Sequence, residues 1–269
     1  MSEESYKTIL VEWKRNSCYV TLNRPKVRNA LSAEMIGELT AVLEKIEPDR
    51  SIRALVLRGT GGWFCAGGDI KGFKQIFQGG ATPEQIAAEN RELGDFLIKL
   101  NALPQVVVML VEGAAIGGGF GLVCCSDVAI ATADTRFSLS ETSLGIPPAQ
   151  IAAFVVQRLG LTQTRRLMMT AARFKGDEAE KLGLVHYSVA DTAALEEQAE
   201  TVLRAVERCG PGANAVTKQI LQTAVSHDLP ETLNIASKLF AEAMLSDEGH
   251  EGIAAFLEKR KPSWTKTNS

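Results

Sequence analysis

A chain of 269 residues in which 45% are hydrophobic and 23% charged has the composition of a folded globular protein, which excludes wholesale disorder and collagen-like structure. Aromatic residues make up 6% and the net charge is −3. Neither a stacking platform for single strands nor a basic groove for duplex DNA fits those values, so no nucleic-acid partner is expected.

No apolar run reaches the roughly 18 residues of a membrane span. The first residues, MSEESYKTILVEWK, have neither the apolar core of a secretory leader nor the Arg-rich character of a transit peptide. A soluble, cytoplasmic protein without a membrane partner is the expectation. The five cysteines (Cys18, Cys65, Cys124, Cys125, Cys209) are odd in number and form no CxxC, which predicts free, buried thiols in a reducing compartment. The three histidines (His186, His227, His250) are scattered singly, so no metal site is expected.

In chain order, Tyr6–Lys14 and Cys18–Leu22 read as a β-hairpin across a short polar turn. Residues 23–29 form a loop. Ser32 is a candidate cap for a helix whose apolar stripe is Met35, Ile36, Leu39, Val42, Leu43 and Ile46. Ala54–Arg58 reads as a strand opening onto a Gly-rich loop, Gly59–Gly72. Thr82, Pro83 and Gln85 form a capping box that starts a helix ending near Asn101. Val106–Val111 is continuous and β-branched, as a strand buried on both faces is. After it come glycines 113–121, a helical stretch 120–126 and two strands, Val128–Ala131 and Arg136–Leu139. A loop over 144–149 precedes a helix at 152–159. Asp177 with Glu180 reads as the capping box of a short helix that Gly183 ends. Beyond residue 193 everything reads as helix: 195–209, 213–226, 233–245 and 249–259. Strands and helices thus alternate through about 190 residues, which predicts an α/β core over 1–192 and a helical region over 193–269.

Gly117-Gly118-Gly119-Phe120-Gly121 follows a strand and opens a helix, but it lacks the final glycine of a dinucleotide fingerprint, and there is no P-loop. Consecutive glycines let a backbone approach a ligand, with phosphate or a developing oxyanion as the guest. They also allow tight helix–strand packing, and the residues alone do not choose between the two. Phe64-Cys65-Ala66-Gly67-Gly68-Asp69-Ile70-Lys71 is a second such loop beside a lysine. The two can converge on one carbonyl oxygen.

With Asn23-Arg24-Pro25, Asn29-Ala30-Leu31, Phe137 to Gly145, Gly183-Leu184-Val185 and Glu251-Gly252-Ile253, these pieces resemble, in order and end to end, the crotonase (enoyl-CoA hydratase/isomerase) superfamily. The resemblance implies a spiral of ββα turns, a C-terminal helical trimerisation region, and a homotrimer or homohexamer acting on acyl-CoA thioesters. Coenzyme A then enters as part of the substrate, with no further cofactor. By position, the N–H groups of Gly68 and Gly118 match the oxyanion hole. Arg28 and Ala30 match the CoA channel, Ala66 and Ile70 the adenine pocket, and Lys71 a phosphate contact. Phe256 and Lys259 match a pair reaching the CoA of a neighbouring subunit. Asp69 belongs to the same CoA loop and also reads as a loop hydrogen-bonder, as Asp127 does at a helix end.

Many hydratases of the family carry two catalytic glutamates. The position matching the first is Gly121 here; the second is Glu141, in Phe137-Ser138-Leu139-Ser140-Glu141. Leu139, Leu144 and Ile146 lie close in sequence, and an apolar setting raises a carboxyl pKa into the range useful for proton transfer. Glu112, next to the glycines, reads as structural. Loss of a side chain at 121 is expected to open volume for a branched or long acyl group. Gln150, in Ile146-Pro147-Pro148-Ala149-Gln150-Ile151, is either a hydrogen-bonder to a polar acyl end or a helix-start surface residue. The single-glutamate pattern resembles hydratases of branched glutaconyl-CoA thioesters. The expected activity is addition of water to a branched 2-enoyl-CoA. The alternatives are a Δ3,Δ2-enoyl-CoA isomerase that shuttles its proton on Glu141, and a non-catalytic acyl-CoA binder.

Overall fold

A computed structural model of the chain describes residues 6–69 and 79–265. The first half is a parallel sheet entered through an antiparallel hairpin. β1 (Ile9–Lys14) and β2 (Ser17–Leu22) form the hairpin; β3 (Ala54–Gly59), β4 (Val106–Val111), β6 (Val128–Thr132) and β9 (Tyr187–Val189) continue it in the order β1-β2-β3-β4-β6-β9. From β2 onward every pairing in this sheet is parallel. β4, VVVMLV, sits in the middle and needs apolar residues on both faces. Leu55 and Leu57 enter the larger core with Val107 and Met109, while Ala54, Val56, Val108 and Leu110 face the opposite side.

The larger core is closed by α1 (Ala33–Ile46) and α2 (Pro83–Ala102). Both begin as the sequence indicates. The Ser32 hydroxyl accepts from Met35 N–H, and Thr82 and Gln85 complete a reciprocal capping box. The opposite face is covered by α6 (Thr192–Arg208) through Leu195, Ala199, Val202 and Leu203. Arg53, 5% exposed, reaches under α6 and donates to the carbonyls of Val206 and Cys209 at its C-terminal end. The Val206 carbonyl also accepts Cys209 N–H, whereas Cys209 O lies beyond the last turn, so Arg53 caps the helix end and ties it to the sheet.

A second sheet of three short strands carries the site: β5 (Ala114–Ile116), β7 (Arg136–Ser138) and β8 (Arg173–Lys175), in that order. Between them run α3 (Gly118–Cys124) and α4 (Ala152–Thr170). Phe137 of β7 stacks on Phe174 of β8 at 5.7 Å, and Phe120 of α3 meets both edge-on at 6.2 Å. Such ring pairs add about 0.5–1.5 kcal/mol each beyond their buried area, and here they lock the glycine helix onto the sheet. Two sheets with helices alternating between their strands make the α/β architecture that the sequence predicts.

Beyond the sheets come α5 (Gly176–Lys181) and, after α6, α7 (Pro211–Ser226), α8 (Leu229–Met244) and α9 (Asp247–Leu257). Glu248 of α9 accepts the N–H groups of Gly212 and Ala213 at the start of α7. Leu221, Val225, Leu229, Leu233, Phe240 and Leu245 are exposed on these helices.

Several sequence expectations need correction. The helix read over 152–159 continues to Thr170, with a break at Gly160, whose φ of 71° is outside the helical region. Asp177 and Glu180 do not form a capping box: the helix begins at Gly176 after Lys175, and the two carboxylates instead accept the hydroxyl and the N–H of Ser188. α8 begins four residues earlier than read, capped by Asp228 with Pro230 in its first turn. Four cysteines are buried as expected, but Cys209 is exposed. Among the described residues no helix is long and apolar enough to cross a membrane, and no group of three or more His, Cys, Asp or Glu is placed to hold a metal ion.

Candidate active site

The two glycine loops lie side by side because their strands pair. Cys65 and Ala115 form a parallel bridge: Cys65 N–H donates to Ala114 O, and Ile116 N–H to Cys65 O. On the other edge Leu31 N–H donates to Gly67 O, and Asp69 N–H to Leu31 O. In that parallel pairing the N–H of Gly68, between them, points away from Leu31. Gly118 is the first residue of α3, so its N–H lacks an intrahelical acceptor. Neither N–H has an acceptor among the described residues. A side-chain carbon on Gly67, whose φ is 95°, would sit 3.7 Å from Gly118 N. The two loops therefore touch at the level of the two free donors.

Each glycine of the triplet has its own reason. Gly117 takes φ 52° and ψ −117°, and a Cβ there would meet Oε1 of Glu141 at 2.7 Å. At Gly118 a Cβ would press on Leu31 Cδ1 at 3.0 Å, and at Gly119 on Cys65 O at 2.6 Å. Close approach to a functional group and tight helix–strand packing both apply, at different positions.

Glu141 is placed by β7. Gly117 N–H donates to Ser138 O at 3.0 Å, fixing the end of the strand. A 3₁₀ turn then runs Glu141–Leu144 and is closed by Gly145 at φ 77°. Thr142 Oγ1 donates to Met168 O at 2.7 Å, which pins that turn to α4. Oε2 of Glu141 is buried without a hydrogen-bond partner. Burial pushes its pKa above the ordinary glutamate value, opposed in part by its own backbone N–H. Leu139 is in the core, but Leu144 is exposed, so Leu144 does not bury the carboxyl. The Gly117 backbone does so instead.

The position that matches the absent second carboxylate is not open space. A Cβ on Gly121 would lie 3.0 Å from Ile151 Cβ and closer still to its Cγ2, with Leu97 Cδ1 at 3.9 Å. Ile151, 3% exposed, fills the place. The expected volume for a branched acyl group at Gly121 is therefore absent, because a β-branched side chain thirty residues on occupies it. Gln150 does not face that place either. Its Nε2 donates to Asn90 Oδ1 at 2.9 Å, and its side chain lies against Gly94 of α2.

The remaining predicted residues divide. Arg24 donates to Asp69 at 2.7 Å and to Ala30 O at 2.6 Å, so Asp69 and Ala30 are held in one loop junction. Asn29, fully buried, secures it by donating to Thr60 O and Trp63 O while accepting from Arg24 N–H. Ala66 N–H donates to Arg28 O at 3.0 Å, and the Arg28 guanidinium lies over the Trp63 ring. Ile70 and Lys71 lie outside the described residues. Phe256 is 84% exposed at the end of α9, and Lys259 follows in a left-handed conformation, φ 55°. Glu112 is structural: it bridges Arg58 and Thr192. Asp127 accepts Val107 N–H and pairs with Lys218. Sequence reasoning gave no role to Leu31 or Ile151, though both stand in stretches it quoted, since neither side chain carries a polar atom.

Two unpartnered N–H groups beside a single carboxyl of raised pKa define a site for proton chemistry next to a polarised carbonyl. Residues 12–267 match the enoyl-CoA hydratase/isomerase family. Enoyl-CoA hydratase EchA19 of Mycobacterium tuberculosis is 32% identical over 97% of both chains. Among solved structures, AtuE of Pseudomonas aeruginosa is 54% identical with a TM-score of 0.94, covering 97% of this chain and 100% of its own. An enoyl-CoA hydratase/isomerase from Marinobacter aquaeolei is 42% identical with a TM-score of 0.92, covering 96% of this chain and 99% of its own. The chain belongs to the enoyl-CoA hydratase/isomerase family and is an enzyme of the crotonase superfamily.

Proposed function

We propose that the enzyme adds water to a branched 2-enoyl-CoA thioester, isohexenylglutaconyl-CoA of acyclic terpene catabolism, in the cytoplasm. The supporting observation is the lone Glu141, one oxygen against Gly117 and the other buried and unpartnered, beside the N–H groups of Gly68 and Gly118. The thioester oxygen takes both N–H donors, and each is worth roughly 3 kcal/mol of barrier. Ionised Glu141 removes a proton from water as its oxygen bonds to C3 and the π pair moves onto the thioester oxygen as an enolate. Glu141 then returns that proton to C2, so the elements of water are added and the carboxylate is regenerated. The residues matched to CoA hold the rest of the substrate: Arg28 and Ala30 line its channel, Ala66 and Ile70 its adenine pocket beside Asp69, Lys71 meets a phosphate, and Phe256 and Lys259 reach in from the neighbouring subunit. The exposed apolar side chains on α7, α8 and α9 support a homotrimer or a homohexamer.

One observation favours a second reading. Hydrocarbon from Ile151 stands at the position matching the other carboxylate, and a lone Glu141 suffices to carry a proton between C2 and C4 in a Δ3,Δ2-enoyl-CoA isomerase. Incubation with matched 2-enoyl and 3-enoyl thioesters separates the two. A mass gain of one water from the 2-enoyl substrate, abolished by Glu141→Gln, is the expected result. Double-bond migration alone assigns the isomerase, and full turnover by the Glu141→Gln enzyme refutes both.

A further inference from the structure

Arg24 has no part in the proposed proton chemistry or in the CoA channel, yet its side chain spans the loop that presents Gly68. Gly67 and Gly68 are consecutive glycines, the least restrained backbone a chain offers. On the Leu31 side this loop is held by an isolated bridge and not by a ladder: Leu31 N–H donates to Gly67 O at 2.8 Å, and Asp69 N–H to Leu31 O at 3.0 Å. The Arg24 guanidinium closes over that bridge. Nη1 donates to the carbonyl of Ala30, just before Leu31, at 2.6 Å, and Nη2 to the carboxylate of Asp69, just after Gly68, at 2.7 Å. The donors of a guanidinium are coplanar and fixed in spacing, so the two strands of the bridge are held at one separation.

Arg24 is itself anchored. Its N–H donates to Asn29 Oδ1 at 2.9 Å, and its carbonyl accepts the N–H groups of Val27 and Asn29, each at 3.0 Å. The ion pair is sheltered: the Arg24 and Asp69 side chains are 24% and 15% exposed, against 58% and 57% for Arg91 and Asp95 on α2. Charge-assisted bonds shielded in this way are stronger and less screened than surface pairs. Leu31 carries the constraint to the second donor. Its backbone is bridged to Gly68, and its Cδ1 lies so close to Gly118 that a Cβ there would meet it at 3.0 Å. One residue thus touches both donor glycines, and Arg24 holds the carbonyl immediately before it.

We propose that Arg24 is a positioning residue for the oxyanion hole: by joining Ala30 O to Asp69 it fixes the N–H of Gly68 relative to that of Gly118. This rests on the oxyanion reading above and adds to it the side chain that sets the geometry. Arg24 touches no reacting atom. Its effect is felt where charge develops on the thioester oxygen, since a donor displaced by about 1 Å can cost a hundredfold in rate.

The test is the carbonyl stretching band of a bound 2-enoyl-CoA, isotopically labelled at the thioester carbon, by difference infrared spectroscopy in a Glu141→Gln background that prevents turnover. Two N–H donors should pull the band below its frequency in water. Arg24→Met should return it about half of the way or more, and Arg24→Lys, which keeps the charge and loses the fork, should return it in part. With Glu141 in place, Arg24→Lys should lower kcat about tenfold and Arg24→Met about thirtyfold, while the acid limb of the pH profile stays where it is. Guanidinium ion should restore part of the kcat of Arg24→Ala, and methylammonium should not. Asp69→Asn added to Arg24→Met should cost no more than Arg24→Met alone, since both act through one contact. Arg53→Met, which loosens the end of α6, should lower the urea midpoint and leave the band in place. An unmoved band in folded Arg24→Met or Arg24→Lys overturns the proposal. So does equal rescue by the two cations, which assigns a charge effect, or an equal band shift in Arg53→Met, which assigns general loosening. Binding needs no turnover: a shifted parent band without hydration of any enoyl thioester defeats the hydratase reading alone, and the Arg24 variants are still decided by their own bands. A parent band at its aqueous frequency removes the oxyanion hole and this proposal together.

Discussion

Gly121 offers a test in which two physical effects have opposite signs. It lies inside α3, where Gly→Ala ordinarily stabilises a helix by about 1 kcal/mol. Here the added carbon would stand 3.0 Å from Ile151 Cβ and nearer to Cγ2, against an ordinary carbon–carbon separation of about 3.5–4.0 Å. The obstructing methyl is on a β-branched side chain, stiff at χ1, and 3% exposed, so it cannot swing into solvent. Overpacking of this kind costs about 1–3 kcal/mol. Gly121→Ala is therefore expected to destabilise by up to about 2 kcal/mol net, read as a lower urea midpoint with an unchanged m-value. Ile151→Ala alone costs about 2–5 kcal/mol through its cavity. In the double variant the new methyl occupies part of that cavity, so the losses should fall short of additivity by at least 1 kcal/mol. A Gly121→Ala protein more stable than wild type, or additive losses in the cycle, would refute the placement of Ile151. The same geometry predicts that Gly121→Glu will not restore a two-carboxylate site: it should unfold at lower denaturant than Gly121→Ala and gain no activity on a linear 2-enoyl-CoA.

The other predictions rest on single groups. Glu141 has its pKa raised by burial, so between the ordinary glutamate value of about 4.3 and the raised one the folded state binds the extra proton. Stability is then full at low pH and falls as pH rises through that window. Glu141→Gln should be more stable than wild type by about 1–2 kcal/mol at pH 8, since it removes an unpartnered buried charge, with a smaller gain at pH 4; a gain independent of pH, measured by urea unfolding, contradicts this. The acid limb of kcat/KM should lie above the usual carboxylate range. Arg53→Met removes the donor of Cys209 O and one of the two donors of Val206 O and should cost about 1–3 kcal/mol, a loss that Arg15→Met, on an exposed pair with Glu200, should not match. Asp228→Ala removes the cap that accepts Glu231 N–H and should cost about 1 kcal/mol by thermal unfolding.

Much of the fold was readable because long elements carry their own periodicity and caps. The hairpin, β3, β4, α1 and α2 have an apolar pattern and a terminator that agree, and they form as expected. The strands β5, β8 and β9 have three residues each, too few for alternation to register, and tertiary pairing makes them. The Asp177–Glu180 box failed because Ser188, eleven residues from Asp177, offered both carboxylates a better partner. Asp228 with Pro230 was a legible start that the apolar stripe from Leu233 overshadowed. Ile151 had no local signal at all. It matters only because the spiral brings it against a glycine thirty positions earlier, and spatial neighbours of that separation are not written in either segment.

Several departures from local rules lie where the chemistry is proposed. Arg28 and Asn29 both hold positive φ, which costs a non-glycine residue about 1–3 kcal/mol, and Asn29 is kept there by hydrogen bonds to Thr60, Trp63 and Arg24. Gly117 takes a conformation closed to other residues so that Glu141 can lie on its backbone. Glu141 keeps an orphan oxygen, which a stability-driven sequence would have paired or replaced. Ile151 shows the reverse: at the position matching a second carboxylate the chain has restored ordinary apolar packing. Under the proposed mechanism, one polar vacancy kept and one closed make Glu141 the single proton carrier, and one carboxyl must then serve the substrate in both directions.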